Sequence, residues 1–397
     1  MRSFSYTEPE LRFESCGFAS RVSLEGAALL DIVLMVVYVS IALGFLVLIH
    51  EGGHYLAARA FGVRVTEFMI GFPGPGIGFT RAGTRFGITI VPLGGYAKVC
   101  GMEPGEMSPH LEPVLAALYR RGTANMEDIA SDCHISNDEA LEALDELVEW
   151  GSAVAPTKKD EFNTYRAAAY RPTKKEVRAA EKAGDPAPLP YELGQPRLVD
   201  DEHGLFESEY RQQYRSLPFW KRTVILLAGI VVNLLFAVLV FVLVYSVVGI
   251  DVANSQTGDV THMTVSPLRS IEAGFSYIAT VFQMVASLFN PQTAGEVVSN
   301  STSVVGIAVM SKTYADAGVL EFVFFMAMLS VSLGVMNLIP IPPLDGGRFV
   351  VEVFQKLTRK NVSMRVLGYL SAAGMILFLG FFLIMVNQDV QRFVFGN

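Results

Sequence analysis

The chain has 397 residues, of which 51% are hydrophobic and 18% are charged. Soluble globular chains carry about 25% charged residues, so the shortfall excludes an ordinary soluble domain and points to lipid. Three cysteines without paired spacing exclude a disulfide framework and a thiolate metal site. A net charge of −8 with no basic block leaves no nucleic acid implied as a partner.

Residues 1–28 read as a polar N-terminal tail without periodicity. The first apolar run follows: residues 32–49 carry no charge, and neither do 224–250, 322–344 and 366–386. Each run is near or above the roughly 18 residues that make a membrane-spanning helix the default reading. The alternative, buried soluble helices, would need four such segments in one domain. The sequence therefore predicts an α-helical polytopic membrane protein with about four transmembrane helices.

Residues 29–105 hold the first of these helices and then a Gly-rich stretch of alternating β-formers. There FGITIVPLGGYAKV reads as strand, turn at 92–95, and strand, a β-hairpin region. Residues 106–170 change character. Three short helices are expected over 110–121, 126–133 and 137–150, followed by a stop at Gly151 and a small hairpin. That order describes a winged-helix-like α+β insert, with Asn137 as N-cap of the third helix and acids in its first turn. Residues 171–217, Pro-rich and charged, read as a linker with some helix. Residues 218–397 form the remaining transmembrane core, with an amphipathic stretch at 271–289 in the loop between the second and third spans.

Lys and Arg placement orients the spans. Basic residues crowd the segment from Arg59 to Arg222 and the loop from Arg348 to Arg365, whereas residues 251–321 hold only Arg269 and Lys312. Positively charged loops face the cytoplasm, which puts both termini outside a plasma (inner) membrane.

The sharpest chemical signal is His50-Glu51-Gly52-Gly53-His54. Residues four apart lie about 40° apart on a helix, so both imidazoles reach one metal ion. The glutamate beside them is placed to take a proton from a water on that ion. The pattern stands at the cytoplasmic end of an uncharged run, where ionisable groups are costly and usually functional. A hydrolytic zinc needs a third protein ligand, and Asp345 in NLIPIPPLDGG ends the third uncharged run at a similar depth. Alternatives are histidines that only satisfy helix contacts and an aspartate that only starts a turn. Gly52 weakens a helix by about 1 kcal/mol relative to Ala.

These residues give the chain its resemblance to the site-2 protease family of intramembrane metalloproteases. LVLIHEGGHYLAARAFGV, the Gly-rich segment ending in GGYAKV, PFWKRTVILLAGIVVNLLFA, SVVGIAVMSK and FMAMLSVSLGVMNLIPIPPLDGGRF follow in the family's order. The resemblance implies Zn2+ held by His50, His54 and Asp345, with Glu51 as catalytic base. It implies that Asn337 stabilises the oxyanion or positions substrate. It also implies that Gly94, Gly95 and Tyr96 form the turn of a membrane-associated hairpin that holds unwound substrate along a strand edge. A plain surface hairpin is the bland counterpart.

The expected activity is hydrolysis of peptide bonds within the transmembrane segments of single-pass membrane proteins in the lipid bilayer, with the active site toward the cytoplasm. The alternative is an inactive membrane sensor or metal-handling protein on the same fold. Many relatives carry PDZ domains between the second and third spans, and residues 251–320 are too short for one. The insert at 106–170 takes its place as extra domain. Its third helix is acidic, which disfavours DNA phosphates and suits a basic cytoplasmic protein partner; a passive spacer is the other reading.

Overall fold

The computed structural model describes residues 19–91, 94–102, 107–157, 160, 163–172, 174–184, 186–253, 260–360 and 362–393. Helix α1 runs Ala19–Ala60. It therefore begins inside the expected polar tail, whose first eighteen residues lie outside the described ones. Four strands follow: β1 (Val65–Ile70), β2 (Gly76–Arg81), β3 (Thr84–Thr89) and β4 (Gly95–Val99). They form one sheet in the order β2-β3-β1-β4.

This sheet corrects the expected hairpin. The strands at 86–89 and 95–99 do not pair with each other, because β1 lies between them, parallel to β3 and antiparallel to β4. The hairpin is β2–β3, turning at Ala82 and Gly83, both with positive φ. Gly94, with φ +86°, leads into β4, and Gly95 and Tyr96 are strand residues paired with Ile70 and Met69. Pro92 and Leu93 of the expected turn lie outside the described residues.

Residues 107–170 fold around their own core. Helix α2 (Leu111–Arg121), β5 (Thr123–Asn125), α3 (Met126–Cys133), α4 (Asn137–Glu149), β6 (Ala153–Val154) and β7 (Thr164–Ala167) follow in turn, with the sheet ordered β5-β7-β6. Leu115, Leu118, Ile129, Leu144, Leu147 and Trp150 are fully buried there. The N-cap of α4 is Ser136 rather than Asn137. Its hydroxyl accepts from Glu139 N while the Glu139 carboxylate accepts from Ser136 N, a reciprocal pair that Asn137 lacks the spacing to make.

The segment expected as a linker carries α5 (Lys174–Ala183) and α6 (Glu202–Tyr210). Helix α6 is packed down: Phe206 and Tyr210 lie against the Trp150 ring. A 3-10 turn at Tyr214–Ser216 then leads into α7 (Phe219–Val242), which a π-helical stretch extends to Val248. Strands β8 (Ile250–Ala253) and β9 (Val260–Met263) form a hairpin, followed by α8 (Pro267–Ser287), α9 (Ala294–Asn300) and α10 (Val304–Ala317). The chain ends with α11 (Val319–Asn337), α12 (Asp345–Thr358) and α13 (Met364–Phe393).

Among the described residues, four helical stretches are long and apolar enough to cross a membrane: Leu29–Ala60, Phe219–Val248, Val319–Asn337 and Arg365–Arg392. The first three form a core. His54 meets Ile225, His50 meets Asn233 and Phe45 meets Phe236, so α1 and α7 run antiparallel. Ser330 bonds Asn233 O and Phe324 packs on Phe241, so α7 and α11 are antiparallel too. Small residues let α1 and α7 touch, as is usual where helices meet in lipid. A Cβ on Gly53 would lie 2.6 Å from Ala228 O, and one on Gly229 would lie 2.4 Å from His54 Nε2. Helix α8 joins this core through Val281. The sheet, by contrast, leaves Phe72, Ile77, Phe79 and Ile90 more than half exposed, an apolar surface that suits lipid contact.

Candidate metal centre

Three side chains converge where α1, α7 and the start of α12 meet. His50 Nε2 lies 3.4 Å from His54 Nε2, and Asp345 Oδ2 lies 3.0 Å from the first and 3.1 Å from the second. Both histidines are buried, and this is the group of potential metal ligands found among the described residues. Zinc ligands about 2.0–2.1 Å from an ion at the tetrahedral angle sit about 3.3 Å apart, so the triangle fits one zinc and leaves the fourth position open.

The other ring nitrogens are tied to α7. His54 Nδ1 donates to Ile225 O at 2.7 Å. His50 Nδ1 lies 3.4 Å from Nδ2 of Asn233, which is fully buried and whose Oδ1 has no partner among the described residues. Oxygen and nitrogen of an amide are exchanged by a flip, and Oδ1 accepting from Nδ1–H satisfies both groups. Each imidazole then carries its proton on Nδ1 and presents a bare Nε2 inward, the second layer of support that metal-binding histidines normally have. Sequence reasoning missed Asn233; its signal was a lone amide inside an uncharged run.

Asp345 is the first residue of α12 and follows a loop that folds against the helix start. Gly346 and Gly347 make that possible: a Cβ on either would fall 2.3 Å from backbone atoms of Leu338 or Pro342. The double glycine thus sets where the carboxylate points.

Glu51 projects toward the sheet, and its Oε2 accepts from Ala97 N of β4 at 2.9 Å. A cavity of about 230 Å³ is lined by Glu51, His54 and Asp345 on one side and by Tyr96, Ala97 and Val99 of β4 on another, with Arg348 at its edge. Of the three residues expected to hold substrate, Tyr96 reaches this cavity, its hydroxyl donating to Glu67 at 2.7 Å. Burial, together with that bond, pushes the phenol up to about 12. Gly94 and Gly95 do not line the cavity; Gly95 sits where a Cβ would meet Met69 O at 2.9 Å and Val47 Cγ1 at 3.3 Å. Asn337, expected at the reaction centre, donates its amide to Leu333 O at 3.0 Å within α11 and does not line the cavity. Arg348, not singled out from sequence, does.

The model of peptidase family M50 matches residues 38–381, spanning the α1 motif, the sheet and the Asp345 loop. The chain belongs to peptidase family M50. Among its relatives are the regulator of sigma-W protease RasP of Bacillus subtilis and the zinc metalloprotease RasP of Geobacillus kaustophilus. Both are 22% identical, with 89% of this chain and 97% of the relative covered. This M50 peptidase is a zinc metalloprotease and a multi-pass membrane protein of the site-2 type.

Proposed function

We propose that His50, His54 and Asp345 hold the zinc and that Glu51 is the catalytic base for peptide hydrolysis inside the transmembrane segment of a single-pass protein. The observation that carries this reading is the ligand triangle itself, with both Nδ1 atoms bonded away from it. Zinc in such a site supplies Lewis acidity, polarising a carbonyl and acidifying a water. Glu51, fixed by the Ala97 N–H, takes the proton from the attacking water and delivers it to the departing amine.

Strand β4 is an edge strand, and its free side faces Glu51. An extended substrate aligned there exposes its carbonyls, which a helix keeps bonded to itself. Gly95 and Tyr96 act in this reading through β4, as wall and packing of the groove, and Gly94 by admitting the chain into the strand. For Asn337 to stabilise the oxyanion its amide must leave Leu333 O; Arg348, at the cavity edge, is the cation already beside it. The basic flanks support a centre toward the cytoplasmic side of a plasma membrane, and the apolar sheet surface suits contact with the interface.

The 107–170 unit reads as a winged helix, on the strength of its element order and its β5-β7-β6 sheet. Its acidic α4 suits a basic protein partner, such as the Lys/Arg-rich stretch flanking a substrate's span.

The test is elemental analysis beside a model-substrate assay. Glu51→Gln is expected to keep zinc and lose cleavage by at least about 100-fold, whereas His54→Ala and Asp345→Ala lose the metal. Ordinary cleavage by Glu51→Gln sinks the mechanism.

A further inference from the structure

A larger cavity, about 510 Å³, lies apart from the metal centre, where the end of α1, the β2–β3 turn and the 107–170 unit meet. Its walls carry Arg59, Arg64, Arg171 and Arg197 against one carboxylate, Glu209, in a chain whose net charge is −8. Gathering four guanidiniums against that background is unfavourable unless something negative joins them.

The charges inside the protein do not balance. Arg64 is the one with a close partner, Glu209 at 2.8 Å. Arg171 pairs with Glu192 only at 3.7 Å, with both side chains more than three-quarters exposed, a geometry of little energetic weight. Arg197 is stacked between the rings of Tyr119 (4.1 Å) and Tyr191 (4.8 Å) and donates to Ala168 O. Its buried Nε has no partner, and neither it nor Arg59 makes an ion pair among the described residues. The cations therefore come from three separate stretches of chain and face one space with donors to spare.

We propose that this cavity binds a phosphate group. A carboxylate fills one guanidinium fork, whereas phosphate offers acceptor oxygens on several sides and can be shared by forks from different segments. Arg59 stands in the last turn of α1, at the same end of the core as Phe61, Trp220 and Lys221, which pack together. Aromatic and basic residues so placed mark the headgroup level. The phosphate therefore comes either from an anionic lipid or from a soluble phosphate compound, and in both cases it ties α1 to the segment behind the 107–170 unit.

The experiment uses the full chain in nanodiscs and reads the thermal midpoint at constant ionic strength. In pure phosphatidylcholine discs, inorganic pyrophosphate is titrated against sodium chloride; in parallel, phosphatidic acid replaces part of the lipid. A saturable rise with pyrophosphate identifies a soluble ligand, and a rise with phosphatidic acid alone identifies a headgroup. Either response is expected to weaken about tenfold in Arg59→Gln and in Arg171→Gln, each of which removes a charge-assisted contact. Arg171 is exposed enough that its loss cannot unfold the protein, and both variants are expected to keep zinc and cleavage in phosphatidylcholine. No response beyond sodium chloride, or a response unchanged in both variants, overturns the proposal.

Discussion

At the scale of single residues, the two glycines between the histidines behave oppositely. A Cβ on Gly52 meets nothing within 4 Å, whereas one on Gly53 would collide with Ala228 O. Gly52→Ala is therefore expected to stabilise the protein by up to about 1 kcal/mol, the helix-propensity difference, and to keep zinc. Gly53→Ala is expected to push α1 from α7 and lose both metal and fold; melting curves with elemental analysis separate the pair. Asn233 makes a subtler prediction. Asn233→Ala leaves the three proposed ligands in place but frees the His50 ring, and zinc affinity in a chelator competition should fall about 10–100-fold, the usual effect of removing a supporting partner. The motif residues His50, Glu51, His54 and Asp345 could be picked out from sequence because ionisable groups stand out in apolar runs. Asn233 was passed over because a neutral amide does not break such a run. Arg348 was passed over because, beyond the double glycine, it looks like an ordinary loop cation.

At the scale of elements, legibility followed the range of the interactions. Helices α2, α3 and α4 could be read almost to the residue, since the signals that bound them, such as the stop at Gly151 after α4, are local. The N-cap of α4 slipped by one because Asn137 has the right side chain, while Ser136 has the right partner three residues on. The first sheet could not be read. Its central strand β1 joins β3 in parallel across an intervening hairpin, and no local pattern announces a parallel neighbour. Since Ala97 N is the group that holds Glu51, Ala97→Pro removes the donor from an edge position. Cleavage should fall sharply with zinc retained; unchanged turnover in single-turnover assays contradicts this role for β4. The acidic face of α4 is narrower than its sequence suggests. Glu139 caps its own helix, Asp145 accepts from Tyr165 and Glu146 from Ser108 N, with Arg215 beside it. A partner effect should accordingly concentrate in Asp138 and Glu142, and the double change to Lys is expected to alter which substrates are cut without lowering zinc content.

At the scale of the whole molecule, a buried ion pair, Arg64–Glu209, fastens α6 to the catalytic core, and Ser152 of the 107–170 unit bonds to both partners. Burial by itself raises the Glu209 carboxyl, but Arg64 and the Ser152 hydroxyl outweigh it and hold the group below the ordinary 4.5. A carboxylate so lowered adds stability above its unfolded value and loses it as pH falls through the folded one. The melting midpoint should therefore hold from neutrality to about pH 5 and drop on further acidification. In Glu209→Gln that slope should flatten, and removing the charge should cost about 3 kcal/mol at neutral pH by leaving Arg64 buried and unpaired. The same junction has one more consequence. The chain leaves the sheet at Cys100 and comes back at Tyr214, whose N–H donates to Cys100 O at 2.9 Å, while Arg64 N donates to Gln212 O at 2.8 Å. Those bonds tie together, at its base, the two ends of the segment between Cys100 and Tyr214. That base is a socket: a foreign domain with adjoining ends can be plugged in at Cys100 and Tyr214, and the protease could thereby be placed under a signal of the experimenter's choosing.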